Sequence, residues 1–403
     1  MTEPVWITGV GVGTPHGWSF DAVADGLLAG RSAIDRVTTF DVSQHPSQIG
    51  AALGPIPRAA GIPDVFAEWT RLEQLGGWTV VAALRDSGLW DHRDRLRIGL
   101  VFSTGAEFAW SWENDAHGRP AGVYCDPAHD RRPLVPLLAK TIHLSGPTAT
   151  VSTACSSGNY ALSLARRWIQ LGWCDVCLAG ACEVGLTPVV LAGFGNLRAL
   201  SRRNDNPTRA CRPFDRDRDG FVLGEGGAVL VLEAASSARR RGAQVYGELA
   251  GVGLSNDAHH PVIPCPDPAQ AVVAVRNALT VARVAPDDVH YVNAHGTSTP
   301  VGDVAEARGL REVFGRGYRK VPVSSTKSMT GHLLTAAAAV EAVACLATFR
   351  CRAIPPTINL DDPDPECELC HVPHTAREGD VRVAVSNSFG FGGSNSCAVF
   401  RAV

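Results

Sequence analysis

The chain has 403 residues, 45% of them hydrophobic and 19% charged, which is too long for one small module and too apolar for a disordered chain. Thirty-seven basic against forty acidic side chains leave a formal charge of −3, so the whole chain carries no electrostatic footprint for nucleic acid or an anionic membrane. The opening MTEPVWITGVGVG lacks the basic segment and apolar run of a secretory signal, and no uncharged apolar run reaches the ~18 residues of a membrane span. A cytoplasmic protein is expected, with its twelve cysteines mostly reduced thiols.

Apolar runs predict strands at 5–12, 98–104, 174–181, 228–235, 289–295, 321–326, 381–388 and 397–403. Between them, periodic stretches bounded by Gly, Pro, Asp or Ser predict helices at 20–30, 67–88, 156–171, 268–283, 301–315 and 333–350. This alternation is that of an α/β protein with sheets covered on both faces. A strand meeting a Gly-Val-Gly turn occurs twice, in ITGVGVG near residue 10 and ELAGVGLS near residue 250. The repeat suggests two related units, residues 1–243 and 244–403. Residues 196–219 are the most polar and Arg-rich stretch and are predicted to form a surface loop.

The sharpest local feature is VSTACSSGNYALSLARRWIQLG, in which Cys155 stands at the start of an amphipathic helix among small residues. Unpaired N–H groups and the positive end of the helix dipole favour a thiolate there, below the usual thiol pKa of about 8.5. Two further segments place histidines in small-residue turns after predicted strands: VNAHGTSTPVGD around His295 and SSTKSMTGHLLTAAAAVEA around Lys327 and His332. The chain has only three lysines, Lys140, Lys320 and Lys327, so one inside a motif is informative. A fourth segment, SNSFGFGGSNS, alternates glycine with Phe389 and Phe391 and can bring backbone N–H donors close to a ligand. Each feature alone has an ordinary structural explanation, but together they make a nucleophilic acyl-transfer site.

These segments, with GFGNLRALSRRNDNPTRACRPFDRDRDGFVLGEGG and SNDAHH, resemble the β-ketoacyl synthases of the thiolase superfamily over nearly the whole chain. The nearest likeness is to the elongating, acyl carrier protein-dependent ketosynthases of fatty acid and polyketide synthesis. The resemblance implies two similar halves in a five-layered α-β-α-β-α fold, the first half holding the nucleophile and the second both histidines. Cys155 would take the acyl group, while His295 and His332 would bind the malonyl thioester carbonyl. The N–H groups of Cys155 and Phe391 would form the oxyanion hole. Lys327 would support the network around His332, and Glu341 would be a buried structural carboxylate. Thr297 and Thr299 would contact pantetheine, Ala106 and Phe389 would line the substrate pocket, and Arg198, Arg202 and Arg203 would dock an acidic carrier protein. A homodimer is implied, with a heterodimer containing a chain-length-factor-like subunit as the alternative, and neither metal nor organic cofactor.

Some positions leave the family pattern. Thr335 and Ala338 stand where elongating synthases usually have glycine, so they are expected to shift His332 or narrow the site. Ala106 and the stretch PLVPLLAK (133–140) suggest an altered acyl pocket, suited to a bulky, rigid or polyene chain. A non-extending partner subunit is the rival reading, and the intact Cys155 argues against it. A thiolase would carry a second cysteine where this chain has SNSFGFGGSNS. CELCH at 367–371 matches a haem-attachment pattern, and with CDVC at 174–177 a zinc pattern. The first sits in a polar connector and the second at an apolar strand, so neither is assigned a ligand. GVGVG lacks the spacing of a dinucleotide loop.

Overall fold

The computed structural model describes residues 3–62, 64–105 and 133–403. Its frame is an 11-stranded mixed sheet. In chain order the strands are β1 (Val5–Gly13), β2 (Ile98–Ser103), β3 (Thr148–Val151), β4 (Val176–Glu183), β5 (Gly226–Ala234), β6 (Gly247–Asn256), β7 (Tyr291–Asn293), β8 (Pro322–Ser324), β9 (Cys370–His371), β10 (Val383–Gly390) and β11 (Ser394–Arg401). Across the sheet they lie in the order β9-β8-β7-β10-β11-β6-β1-β5-β4-β2-β3.

That order contains one pattern twice. From β1 outward, β1/β5 and β5/β4 are antiparallel, then β4/β2 and β2/β3 are parallel. From β6 outward, β6/β11 and β11/β10 are antiparallel, then β10/β7 and β7/β8 are parallel. The halves join where β1 meets β6 through only two residue pairs, Trp6 with Glu248 and Ile7 with Gly247.

The longer helices among the described residues are α1 (Phe20–Leu28), α2 (Arg71–Asp86), α3 (Leu134–Ile142), α4 (Ser157–Gln170), α5 (Pro188–Asn196), α6 (Ala269–Ala282), α7 (Pro300–Phe314) and α8 (Ala337–Cys351). Helix α4 touches β4 and β2 on one side and β6 and β11 on the other, and α8 likewise touches β10 and β5. These two form the central layer. Helix α2 covers the outer face of the first half, and α6, backed by α7, covers that of the second, which gives five layers. Its central place explains why α8 is apolar all round, with every residue from Ala337 to Thr348 buried. By length and a mean hydropathy of 1.5, Leu334–Cys351 could also cross a membrane, but 78% of it is buried inside this fold.

The Gly-Val-Gly segments are not turns; both lie within strands. A Cβ on Gly11 would sit 2.0 Å from the Thr79 carbonyl oxygen of α2, and one on Gly253 would sit 2.0 Å from the Ala274 oxygen of α6. Gly9 and Gly251 are equally close to the oxygens of Ala83 and Ala278, at 2.6 Å each. The glycines let a helix backbone lie directly on the strand in both halves.

Residues 196–219 are only partly the predicted surface loop. Ala210, Cys211, Phe214 and Asp215 are fully buried. The arginines find carboxylates both near and far in the chain, Arg212 pairing with Asp215 at 2.8 Å and Asp361 at 3.2 Å, and Arg218 with Asp364 at 2.8 Å. A polar sequence can pack inside when its charges are paired in this way.

Candidate active site

Cys155 follows β3 and immediately precedes α4, after Ala154 in a left-handed conformation at φ 50°. The turn is tied by side chains: Ser157 Oγ donates to the Ala154 carbonyl at 2.6 Å and accepts from the Thr153 N–H at 2.8 Å. Gly390 at the end of β10 lies against it, since a Cβ there would come 2.7 Å from the Thr153 oxygen and 3.1 Å from the Cys155 nitrogen. Only glycine fits that approach, and it brings the next N–H, that of Phe391, to the thiol. The N–H groups of Phe391 and of Cys155 itself both reach the Cys155 sulfur.

His332, in the turn after β8, places Nε2 at 3.0 Å from Cys155 Sγ. His295, in the turn after β7, stands edge-on to His332 with ring centroids 5.4 Å apart and is flanked by Phe389 at 5.7 Å. Phe221 packs on the other side of His332 at 5.3 Å. Lys327 Nζ donates to the His295 carbonyl at 2.6 Å and pairs with Glu341, both side chains being buried. The five central sequence candidates, Cys155, His295, Lys327, His332 and Phe391, thus converge.

The electrostatics differ from the sequence expectation at the thiol. Burial pushes Cys155 up to about 11, and the Lys327 charge and the two N–H groups only partly oppose it. In this closed site desolvation outweighs the helix terminus. Burial, reinforced by the Lys327 charge, holds both histidines well below their usual value, so both rings are neutral. The resting pair is therefore a thiol beside a neutral imidazole. Nδ1 of each ring is buried without a hydrogen-bond partner among the described residues, so none of those residues fixes either tautomer there.

Two carboxylates escaped the sequence reading. Glu306, on α7, accepts the N–H of His295 at 2.8 Å and of Gly296 at 2.7 Å, and Asn387 at 3.1 Å, pinning the turn that carries His295. Its signal was the pair Asp303 and Glu306, three residues apart just after the His-Gly turn and so on one face of α7. Glu183, the last residue of β4, is buried and pushed up to about 7. Burial is the main cause, and it accepts a 2.7 Å hydrogen bond from Thr335 Oγ1.

A cavity of about 680 Å³ opens on Cys155, His295, His332 and Phe391. Thr297 and Thr299 line it, their hydroxyls 3.1 Å apart, and so does Phe389. Arg198 stands exposed among the lining residues. Arg202 is exposed as well, and the half-buried Arg203 donates to the Asp217 carbonyl at 2.6 Å. Ala106 lies outside the described residues. The stretch 133–140 falls mainly on α3, where Leu134 and Leu138 pack on Gly76 of α2, and does not line the cavity.

Of the two departures from glycine, Thr335 lines the cavity together with Cys155 and His332. The Thr335 side chain turns to Glu183, and Ala338 packs against Gly158, whose own lack of a side chain makes room for it. Cys177 is fully buried on β4 beside Cys174, and Cys367 is buried in the core. His371, in β9, bonds the Cys367 carbonyl at 2.8 Å. Among the described residues no group of three or more His, Cys, Asp or Glu could hold a metal ion.

Two family models match the chain: the N-terminal domain of β-ketoacyl synthase over residues 2–238 and its C-terminal domain over residues 246–361. The 3-oxoacyl-[acyl-carrier-protein] synthase 2 of Coxiella burnetii is 38% identical over 99% of this chain and 98% of its own length. Among solved structures, the ishigamide ketosynthase/chain length factor is 31% identical with a TM-score of 0.90, covering 100% of both chains. A type II polyketide synthase acyl carrier protein in complex with its ketosynthase bound to the hexaketide contributes a chain 29% identical, with a TM-score of 0.89 and 100% coverage of both. Matched along its length by models of both domains and by a full-length relative, the chain belongs to the β-ketoacyl synthase family.

Proposed function

We propose that the protein is a β-ketoacyl-[acyl-carrier-protein] synthase, an acyltransferase that joins an acyl thioester to malonyl-acyl carrier protein in fatty acid or polyketide chain elongation. The observation that carries this reading is the Cys155 thiol at 3.0 Å from His332 Nε2, with two backbone N–H groups at the sulfur. In the first step Cys155 Sγ attacks the acyl carbonyl, its proton passes to His332 and on to the departing pantetheine sulfur, and the C–S bond to the carrier breaks so that its pantetheine leaves as a thiol. The N–H groups of Cys155 and Phe391 stabilise the oxyanion, each such donor contributing about 3 kcal/mol. In the second step the malonyl thioester loses carbon dioxide. His295 and His332 donate to its carbonyl oxygen as the enolate forms. The enolate carbon then attacks the acyl-Cys155 carbonyl, the C–S bond breaks, and the Cys155 thiolate released takes a proton from solvent to regenerate the thiol.

The other sequence candidates take supporting roles. Lys327 and Glu306 hold the His295 turn, Glu341 neutralises Lys327, Thr297 and Thr299 meet the pantetheine arm, and Phe389 closes the site beside His295. Arg198 and Arg202 present positive charge for an acidic carrier protein. The halves divide at residues 243 and 244. The active form is a cytoplasmic homodimer: β3 lies at the end of the sheet, with Thr148 and Thr150 exposed and Ala149 and Val151 half-buried, an edge that a second copy can extend.

Intact-protein mass spectrometry tests the reading. A panel of acyl-carrier-protein thioesters should load one acyl group, absent from Cys155→Ala, and malonyl-acyl carrier protein should discharge it as a β-ketoacyl product two carbons longer. No loading from any donor, alone or with a chain-length-factor-like subunit added, favours the non-extending role instead. Size-exclusion chromatography with light scattering distinguishes the homodimer from a chain that requires such a partner.

A further inference from the structure

We infer that Glu183 and Thr335 form a positioning pair that sets His332 against Cys155. The inference rests on the roles proposed above for those two residues. Thr335 lies three positions beyond His332, in the single turn Leu334–Ala336 that leads into α8. Leu334 in this turn is left-handed at φ 47°, a conformation that leucine rarely adopts and that persists only where the surroundings hold it.

His332 is fixed on one side by backbone pairing: its N–H donates to the Val222 oxygen at 2.7 Å and its carbonyl accepts from Gly224 at 3.0 Å. Beyond it, the hold comes from Glu183. That carboxyl takes the Thr335 hydroxyl at 2.7 Å and is also bonded by the backbone N–H groups of Thr335 and Val184. Both side chains are buried, 2% and 3% exposed, so water does not compete for these bonds. A Cβ on Gly105 would come 2.6 Å from Thr335 Cγ2 and 3.1 Å from Glu183 Oε2, so the Gly105 backbone lies close against the pair on that side, while both side chains also line the cavity.

Steady-state condensation by Thr335→Val, which keeps the shape and loses the hydroxyl, tests the pair beside Thr335→Ser, which keeps the donor. Thr335→Val should lower kcat about tenfold, the worth of a buried hydrogen bond to a carboxyl, with KM for acyl- and malonyl-carrier protein within about twofold of the parent. Thr335→Ser should restore kcat to within about twofold. An unchanged kcat in Thr335→Val overturns the inference, as does a Thr335→Ser as slow as Thr335→Val or an effect confined to KM. Should thermal melting find Thr335→Val unfolded, Thr335→Gly carries the same test with the same expected loss. His332→Ala is run alongside: parental turnover there removes the role of His332 itself, whereas an inactive His332→Ala with a normal Thr335→Val removes only the pair.

Discussion

His332 Nε2 and Cys155 Sγ are 3.0 Å apart in space and 177 positions apart in the chain. Both groups are buried and both rest neutral, the thiol pushed up to about 11 and the imidazole held well below its usual range. Reactivity toward a simple alkylating agent should therefore track the small thiolate fraction. The rate of Cys155 alkylation by iodoacetamide should rise about tenfold per pH unit from pH 7 to 10, with no plateau near the free-thiol value of about 8.5. Lys327→Met removes the positive charge that pulls the thiol down and should slow alkylation further at every pH in that range. A plateau below pH 8 would indicate a preformed thiolate instead.

Lys327 and Glu341 form an ion pair with 1% and 3% of their side chains exposed. Removing one member strands the other, so Lys327→Met should lose about 3–5 kcal/mol in chemical denaturation. Lys327→Met/Glu341→Gln, with no stranded charge, should regain most of that stability. It should not regain condensation, because Lys327 also donates to the His295 carbonyl at 2.6 Å.

The strand glycines predict a matched pair of failures. Gly11→Ala and Gly253→Ala each place a Cβ 2.0 Å from a helix carbonyl oxygen and should each cost about 3 kcal/mol or more, or prevent soluble expression. Gly193→Ala is the contrast: this glycine lies on α5 with nothing within 4 Å of the added carbon. It should raise stability by up to about 1 kcal/mol, read as a higher melting temperature.

Arg198 is exposed at the cavity that holds Cys155. If it steers an acidic carrier protein, KM for carrier-protein thioesters should rise with ionic strength in the parent, and Arg198→Glu should raise KM at low salt about tenfold and flatten that dependence. A variant with the parental salt response would move the docking surface elsewhere.

Strands and long helices were legible because their apolar runs are unbroken. Strand β3 was not, since TATV is short, half polar and at the sheet edge, and β9 is only two residues long. The convergence of Cys155, His295, Lys327 and His332 was legible from motifs, each in a small-residue turn after a strand. Other features were not, because they depend on what the fold stacks above them. The Gly-Val-Gly segments read as turns until α2 and α6 are laid on them. The Cys155 thiol read as acidified until its burial outweighed the helix terminus. Glu183 sits two residues past a predicted strand, and its partner Thr335 read as mere added volume because the hydrogen bond between them spans 152 positions.

The repeated strand pattern has a chemical consequence. β3 and β8 occupy the same place in the two halves, and each leads through a turn into a central helix. The turn after β3 carries Cys155, and the turn after β8 carries Lys327 and His332. The Cys155 sulfur and the His332 nitrogen beside it thus stand at corresponding stations of a two-fold scaffold, where symmetry alone would set like against like. A protein assembled from two identical halves would bring together two thiols or two imidazoles, and neither combination offers a nucleophile with a base. Here the two halves repeat the backbone pattern and differ in the side chains that their corresponding turns present.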